Sequence, residues 1–321
     1  MRRKHPLLAV SPSCLIMLIA LLLGWGCDAT NENRPIDPTQ TLLQRVRDQS
    51  ELSSFYTALE RLNLLSTLQN QHLDFTLLAP TNAAFASYLQ AAGYTSLEAV
   101  PLSALDPLIR YHIALGNKPV AQLDSSLLST LSGSKIVAYT SNNTVLLNQG
   151  TALATTDLRA TNGVLHTLGE VLQPPTQSLA DLIATRASGQ EAEYGLLQAA
   201  LTHTGLASVL DNANQRLTLF APTDAAFTAA GYTTVEEIEQ EDPAVIRPLL
   251  LYHLLAGYRF SHMLHTGNLR TQLGDSVRVD ATAGTLLGEG NTQPARLLPA
   301  EMDQFTTNGV LHGIDAVLLP D

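Results

Sequence analysis

The strongest constraint on the fold of this chain is a nine-residue phrase that it contains twice. Residues 77–85 read LLAPTNAAF and residues 219–227 read LFAPTDAAF, so seven of the nine positions are identical at an offset of 142. The similarity continues on the C-terminal side of the phrase at nearly the same offset. There, residues 108–116 read LIRYHIALG and residues 249–257 read LLLYHLLAG.

The similarity extends to the end of each copy, where residues 160–174 resemble residues 306–320. A repeat this long indicates a duplicated whole domain rather than a solenoid of short units. We therefore predict two domains, residues 40–173 and residues 177–321, joined by a short stiff linker that contains two prolines. A chain of 321 residues is long enough for two domains of ordinary size.

The first residues have the pattern of an export signal. A basic start, MRRKH, precedes an apolar run, CLIMLIALLL, that is too short to span a bilayer, which predicts a signal peptide over residues 1–26. Gly26 and Cys27 resemble the lipobox of bacterial lipoproteins, which predicts lipidation of Cys27 and a flexible tether over residues 27–39. The chain would then be exported and anchored by this lipid in a bacterial cell envelope, at the outer membrane or cell surface. The alternative is ordinary cleavage near Gly26.

Charge and cysteine content limit the classes of partner. The formal net charge is -11, and loss of Arg2, Arg3 and Lys4 with the signal peptide brings it to -14. A surface this acidic argues against nucleic acid, which requires Lys and Arg to displace counterions. The two cysteines, Cys14 and Cys27, lie within or directly after the signal peptide. The two domains therefore contain no disulfide and no thiolate metal site.

Hydrophobic periodicity predicts the same order of elements in both copies. The first half of each copy has the leucine spacing of helices, and the second half has short β-rich runs separated by turn residues. The predicted fold class is α+β, with helices followed by a mostly antiparallel sheet in each domain.

The repeated phrase itself reads as a strand, a turn and a helix. Pro222 would make the turn, and Thr223 or Asp224 would cap the following helix, whose inner face would bury Phe227. Such a strand-to-helix turn requires no catalytic or ligand-binding side chain, so the phrase is interpreted as structural. Its signature positions in the two copies are Pro80, Thr81, Pro222 and Thr223.

Three motifs occur in the same order in both copies: the repeated phrase, a central Tyr-His pair, and a closing NGVLH phrase. Together they resemble the fasciclin domain family. The resemblance covers nearly all of the chain beyond the signal peptide, and it implies two tandem domains, each a wedge or sandwich of β-strands flanked by helices. It also implies non-catalytic extracellular adhesion, with the extracellular matrix, a polysaccharide or a cell-surface protein as partner.

In some animal members of this family, the Tyr-His pair and its neighbours are credited with binding integrins. The matching positions in this chain are Tyr111, His112, Tyr252 and His253. A bacterial lipoprotein has no obvious integrin partner, so that role transfers poorly. The closing phrase of the first copy also departs from the family, because Thr167 stands where the second copy has Gly313. This departure predicts a weaker closing strand or an altered surface in the first domain.

Four histidines occupy equivalent places in the two copies: His112, His166, His253 and His312. Each lies in an apolar stretch, which favours a buried imidazole bonded to the backbone over a metal ligand or an acid/base catalyst. Metal sites usually gather three or more ligands, and the sequence contains no Gly-rich phosphate loop and no nucleophile elbow. We therefore predict no catalytic residue, no metal and no cofactor. His262 and His265 are interpreted as solvent-facing.

Two classes of function remain open from the sequence. The first is a lipid-anchored surface protein for adhesion or interaction, without catalysis. The second is an extracytoplasmic protein that binds a small molecule or a polysaccharide. The only tryptophan, Trp25, would be removed with the signal peptide, which disfavours sugar recognition by stacking.

Overall fold

The two copies of the sequence repeat fold into two domains with closely similar topology. The computed structural model describes residues 39–188 and 192–321. The predicted signal peptide, Cys27 and the tether up to residue 38 lie outside the described residues. Both domains belong to one compact unit. The boundaries predicted from the sequence, 40–173 and 177–321, fall outside every helix and strand.

The first domain contains five α-helices and eight strands. The helices are α1 (Leu42–Arg47), α2 (Ser53–Arg61), α3 (Leu65–Gln69), α4 (Asn82–Ala91) and α5 (Leu102–Tyr111). The strands are β1 (Phe75–Pro80), β2 (Ile113–Leu115), β3 (Ser126–Ser129), β4 (Lys135–Ser141), β5 (Thr144–Leu147), β6 (Thr151–Ala152), β7 (Leu158–Ala160) and β8 (Gly163–Leu168).

In the part of the chain that the structure describes, the second domain contains six α-helices and eight strands. The helices are α6 (Leu179–Arg186), α7 (Gly195–His203), α8 (Ala207–Leu210), α9 (Asp224–Ala229), α10 (Val235–Gln240) and α11 (Pro243–Tyr252). The strands are β9 (Leu217–Pro222), β10 (Leu254–Ala256), β11 (Gly267–Arg270), β12 (Ser276–Asp280), β13 (Thr285–Leu287), β14 (Ala295–Arg296), β15 (Gln304–Phe305) and β16 (Gly309–Ile314). None of the described helices is long and apolar enough to cross a bilayer.

Each domain has two four-stranded sheets. In the first domain the orders are β2-β1-β8-β7 and β3-β4-β5-β6, and in the second they are β10-β9-β16-β15 and β11-β12-β13-β14. The central pair of the first sheet is parallel, β1 with β8 and β9 with β16, whereas the other paired strands are antiparallel. The prediction of a mostly antiparallel α+β fold in two tandem domains is therefore confirmed.

The central strands are buried on both faces, which explains why the repeated phrase is apolar throughout its strand. In β1, Phe75, Leu77 and Ala79 contribute to a core cluster with the helices, whereas Leu78 belongs to a second cluster between the two sheets. Every residue of β1, β8, β9 and β16 is buried. The first sheet is thus the middle layer, with helices on one face and the second sheet on the other.

The closing strand of the first domain is as long as that of the second. β8 pairs with β1 from Gly163 to Leu168, and β16 pairs with β9 over the equivalent six residues. The departure at Thr167 therefore does not shorten the pairing, and a weaker closing strand or an altered surface in the first domain stays a prediction. In β8 the buried Thr167 hydroxyl accepts a hydrogen bond from the Thr155 N–H at 2.9 Å, so the polar group is satisfied inside the fold.

Candidate functional site

The repeated phrase forms a strand-to-helix corner in each domain. Pro80 and Pro222 end β1 and β9, and the next residues, Thr81 and Thr223, are the N-caps of α4 and α9. Each threonine hydroxyl accepts from the backbone N–H three residues later at 3.3 Å, which satisfies one of the free donors at the start of the helix. The structure places all four signature positions in this structural role.

The variable position of the phrase caps a second helix. Asp224 accepts from the backbone N–H groups of Gly195 and Leu196, at 3.1 and 2.8 Å, at the start of α7. Asn82 in the first domain accepts from the second N–H of α2 at 2.8 Å. Thr223 and Asp224 were alternative predictions for the cap of one helix, whereas in the structure each of them caps a different helix. The corner therefore fixes two helices to the central sheet.

The two tyrosines of the Tyr-His pairs are fully buried at the ends of α5 and α11. The Tyr111 hydroxyl donates to the carbonyl of Lys135 at 2.9 Å, and the Tyr252 hydroxyl donates to the carbonyl of Ser276 at 2.6 Å. Both carbonyls belong to the first residue of a strand in the second sheet, β4 or β12. Each tyrosine therefore connects the C-terminal end of its helix to the second sheet of its domain.

The histidines of these pairs connect the same helix end to the segment that leaves the central sheet. His112 Nδ1 donates to the Leu108 carbonyl at 2.8 Å, and its Nε2 accepts from the Leu172 N–H at 3.0 Å. His253 repeats both contacts with Leu249 and Leu318, at 2.8 and 2.9 Å. Complete burial lowers the pKa of each imidazole to about 4, and the bond to the helix carbonyl opposes this shift only partly.

The histidines of the closing phrase are held in the opposite tautomer. His166 Nε2 donates to the Lys118 carbonyl at 3.1 Å and His312 Nε2 donates to the Arg259 carbonyl at 2.7 Å. Their Nδ1 atoms each accept a backbone N–H at 3.2 Å, from an aspartate nine residues earlier in the chain. Burial lowers both pKa values, although the bonds to the carbonyls and the neighbouring aspartates act in the opposite direction.

Burial restricts how the Tyr-His motif could meet a partner. Tyr111, His112, Tyr252 and His253 are each 0% exposed. A role of these positions in binding stays a prediction, and it would have to act through exposed neighbours such as Leu115, which is 47% exposed. Among the described residues, no group of three or more His, Cys, Asp and Glu side chains is placed to hold a metal ion.

The asparagine side chains of the two closing NGVLH phrases have a structural role that was not predicted from the sequence. The Asn308 side chain accepts from the Leu179 N–H at 2.9 Å and donates to the Leu210 carbonyl at 2.7 Å. Asn162 makes the matching contacts with Leu42 and Leu68 in the first domain. Each buried asparagine therefore joins the first helix, a later helix and the closing strand. Recurrence of the asparagine in both copies was the available signal.

The two domains also contact each other. Val137 on β4 of the first domain clusters with Tyr258, Phe260 and Val310 of the second domain. Beside this cluster, the Tyr139 hydroxyl lies 2.8 Å from Nε2 of His265, and the Tyr139 ring lies 5.9 Å from that of His262.

The environment of His262 and His265 differs from the prediction. The His262 ring is half-buried and stacks on Phe260, with centroids 5.7 Å apart and planes 4° apart. Burial lowers its pKa, and the charge of Asp303 opposes the shift. The interpretation of both histidines as solvent-facing is therefore wrong for His262. His265 is exposed but bonded across the domain contact.

Comparison with known families and proteins agrees with this architecture. Residues 50–174 and 192–320 each match the family model described as Fasciclin domain. This chain belongs to the fasciclin domain family. The two matches lie within the two structural domains and together cover more than half of the sequence.

Several curated fasciclin-domain relatives are larger proteins. The chain is 29% identical over 251 residues to transforming growth factor-beta-induced protein ig-h3 of Sus scrofa, covering 77% of this chain and 35% of the relative. It is 32% identical over 273 residues to human periostin, covering 84% of this chain and 30% of the relative. The chain thus spans about a third of the length of these relatives.

A shorter relative and a solved structure are also similar to this chain. Protein sll1483 of Synechocystis is 27% identical over 139 residues, which covers 43% of this chain and 76% of that protein. The structure of a FAS1 domain pair from the insect cell adhesion molecule fasciclin I matches with 18% identity and a TM-score of 0.38. The match covers 84% of this chain and 97% of the chain in that structure.

Proposed function

We propose that this chain is a lipid-anchored adhesion or interaction protein of a bacterial cell envelope, with two fasciclin domains and no catalytic role. The observation that carries this proposal is the tandem pair of fasciclin domains over residues 50–174 and 192–320. The resemblance of residues 1–27 to the leader of a bacterial lipoprotein supports export and anchoring. Extracellular matrix, a polysaccharide or a cell-surface protein would be the partner.

The geometry of the signature residues supports a non-catalytic role. The four repeated histidines have both ring nitrogens engaged with backbone groups, so none presents a free nitrogen to a substrate. The cap threonines and the Tyr-His tyrosines are similarly bonded within the fold. Binding would then be a property of the outer surface of the pair.

Lipidation of Cys27 is the first testable part of this proposal. Mass spectrometry of the N-terminal peptide from membranes should find a diacylglyceryl group on Cys27, because cleavage after Gly26 makes Cys27 the first residue. Multiple acyl chains anchor stably, whereas one chain does so weakly. Cys27→Ser should release the protein from membranes. An unmodified N-terminus at any other residue would contradict the anchor.

Attachment of cells tests adhesion itself. Deletion of the gene should remove most attachment to a matrix-coated or cell-coated surface, and restoration of the intact gene should recover it. Cells carrying Cys27→Ser should attach as poorly as the deletion strain, although the protein is still made. Purified protein added to the medium should compete with cells that carry the intact gene. Equal attachment by the deletion and parent strains on every surface would contradict the proposal. If the deletion strain also failed to grow on a particular solute, that result would favour the alternative function, an extracytoplasmic binding protein.

A further inference from the structure

A polar crevice lies where the two fasciclin domains meet the linker. Its volume is about 240 Å³, and its wall is formed by the turn after β5, residues 173–177, α6 and β15. Gln149 and Gln173 come from the first domain, and Gln304 and Phe305 come from the second. None of the described residues that line the crevice is charged. The crevice therefore exists only when both domains are present.

Contacts on either side fix the walls of this crevice. Phe305 packs against Tyr258 and Phe260, with ring centroids 5.8 and 5.3 Å away, and this aromatic group contacts Val137 of the first domain. The residue that follows the linker is fixed to the rest of the second domain because the Thr307 N–H donates to the Gln177 carbonyl at 2.9 Å. A ligand would meet a surface whose main shape is already formed, which reduces the entropy lost on binding.

The lining offers hydrogen-bonding groups that the protein itself does not use. The side-chain amides of Gln149, Gln173 and Gln304 have no hydrogen-bond partner among the described residues. An amide side chain presents both a donor and an acceptor, and a sugar hydroxyl also acts in both ways. Phe305 is partly exposed beside these amides and offers an apolar ring to the C–H face of a sugar.

Charge and size narrow the ligand class. An ionised ligand would find no described charged side chain in the crevice to pair with, and the chain carries a net charge of -11 that repels polyanions. The volume of about 240 Å³ is below the roughly 300–1,000 Å³ of pockets for drug-sized ligands. An amide-rich lining also suits hydroxyl groups better than the apolar side chains of a peptide. A single neutral sugar ring meets all three conditions.

We propose that this crevice binds one ring of a neutral polysaccharide, with Gln149, Gln173 and Gln304 bonding to its hydroxyl groups and Phe305 packing on its face. This inference rests on the proposed function, because it names a partner for the adhesion pair. A polymer passing through the open crevice would contact both domains at once. The absence of tryptophan from the described residues does not prevent this mode, because Phe305 supplies the ring.

Affinity electrophoresis of the purified full chain, in detergent without sugar headgroups, tests the crevice directly. Gels would contain a neutral glucan, mannan, galactan or xylan, with acidic alginate as a charged comparison. At least one neutral polymer should retard the protein. Gln173→Ala combined with Gln304→Ala should weaken binding at least tenfold. The matched pair Gln122→Ala with Gln272→Ala removes two exposed amides that do not line the crevice, and it should leave binding within twofold.

The electrophoresis and the gene deletion together distinguish failure of the sugar site from failure of the adhesion role. Three results would each overturn the proposal. The first is that no neutral polymer retards the protein, and the second is that the Gln173/Gln304 variant binds as well as the parent with unchanged thermal unfolding. The third is that the protein prefers alginate to the neutral polymers. If deletion of the gene still abolishes attachment in those cases, adhesion stands and only the sugar site fails. If deletion leaves attachment unchanged while neutral polymer binds through the crevice, the adhesion role fails instead and the chain is a polysaccharide-binding protein.

Discussion

Acidification from pH 7.5 to pH 5 should lower the free energy of unfolding of each domain by about 2 kcal/mol. This loss comes from one histidine alone, His112 in the first domain or His253 in the second, and it should reach about 3 kcal/mol near pH 4. Both imidazoles have a folded-state pKa of about 4, against 6.5 for the unfolded chain. Between these values the unfolded chain binds a proton that the folded chain does not. Stability is therefore full above pH 6.5 and falls as pH falls. His166 and His312, whose pKa values are also lowered, should add to the loss.

The geometry explains why protonation is costly. The Nε2 atom of His253 accepts from the Leu318 N–H, so a proton on Nε2 would place two donors against each other inside the core.

Urea unfolding followed by circular dichroism at intervals between pH 7.5 and 4.5 measures the effect. Exposed carboxylates with lowered pKa, such as Glu98 and Glu237, contribute only below their unfolded pKa of 4.5, outside most of this window. His72→Gln removes an exposed imidazole and should leave the profile unchanged. A flat profile from pH 7.5 to 5 would contradict the prediction.

Replacement of Gly163 by alanine should destabilise the first domain by about 3 kcal/mol or more. Gly163 begins β8 with φ at 141°, and a Cβ atom there would lie 1.9 Å from the Phe75 carbonyl oxygen in β1. No side-chain rotation relieves this contact, because the backbone fixes the position of the Cβ atom and the atom that it meets is a backbone oxygen. The two strands would have to separate where the sheet is most deeply buried. Thermal or urea unfolding of the purified variant measures the loss.

Gly133→Ala is the matched control for this substitution. Gly133 also has a positive φ, of 89°, but no atom lies within 4 Å of the position of its Cβ. Its replacement should cost only the backbone strain, roughly 1–2 kcal/mol. A loss at Gly163 no larger than that at Gly133 would show that the close approach of β1 and β8 does not constrain the sequence.

Features that depend on neighbours in sequence were the ones that could be predicted. The threonine caps at Thr81 and Thr223 follow from a polar residue directly before a helical pattern, and the α+β class follows from periodicity. The second capping role of Asp224 could not be predicted, because its partners Gly195 and Leu196 lie in another helix. The parallel pairing of β1 with β8 was missed for the same reason, since strands far apart in the chain carry no local signal for their pairing.

The surfaces most relevant to function were the least predictable. The crevice glutamines are dispersed at positions 149, 173 and 304 and form no motif, so only the folded pair brings them together. The environment of His262 depends on Phe260 beside it and on Tyr139 in the other domain. Repetition identified the shared framework of the domains, whereas the contact between the domains also involves residues outside the shared motifs, such as Tyr139 and His262.

The parallel pairing at the centre of each domain has a consequence for the order of events during synthesis. β1 is made early, but its neighbour β8 is among the last parts of the first domain to be made, and the same holds for β9 and β16. Closing so long a loop costs entropy before the pairing contributes stability. Each domain should therefore remain incompletely folded until its last strand is available. If residues 1–26 are a signal peptide, as proposed, the secretion channel would receive a chain that has not yet adopted its final fold.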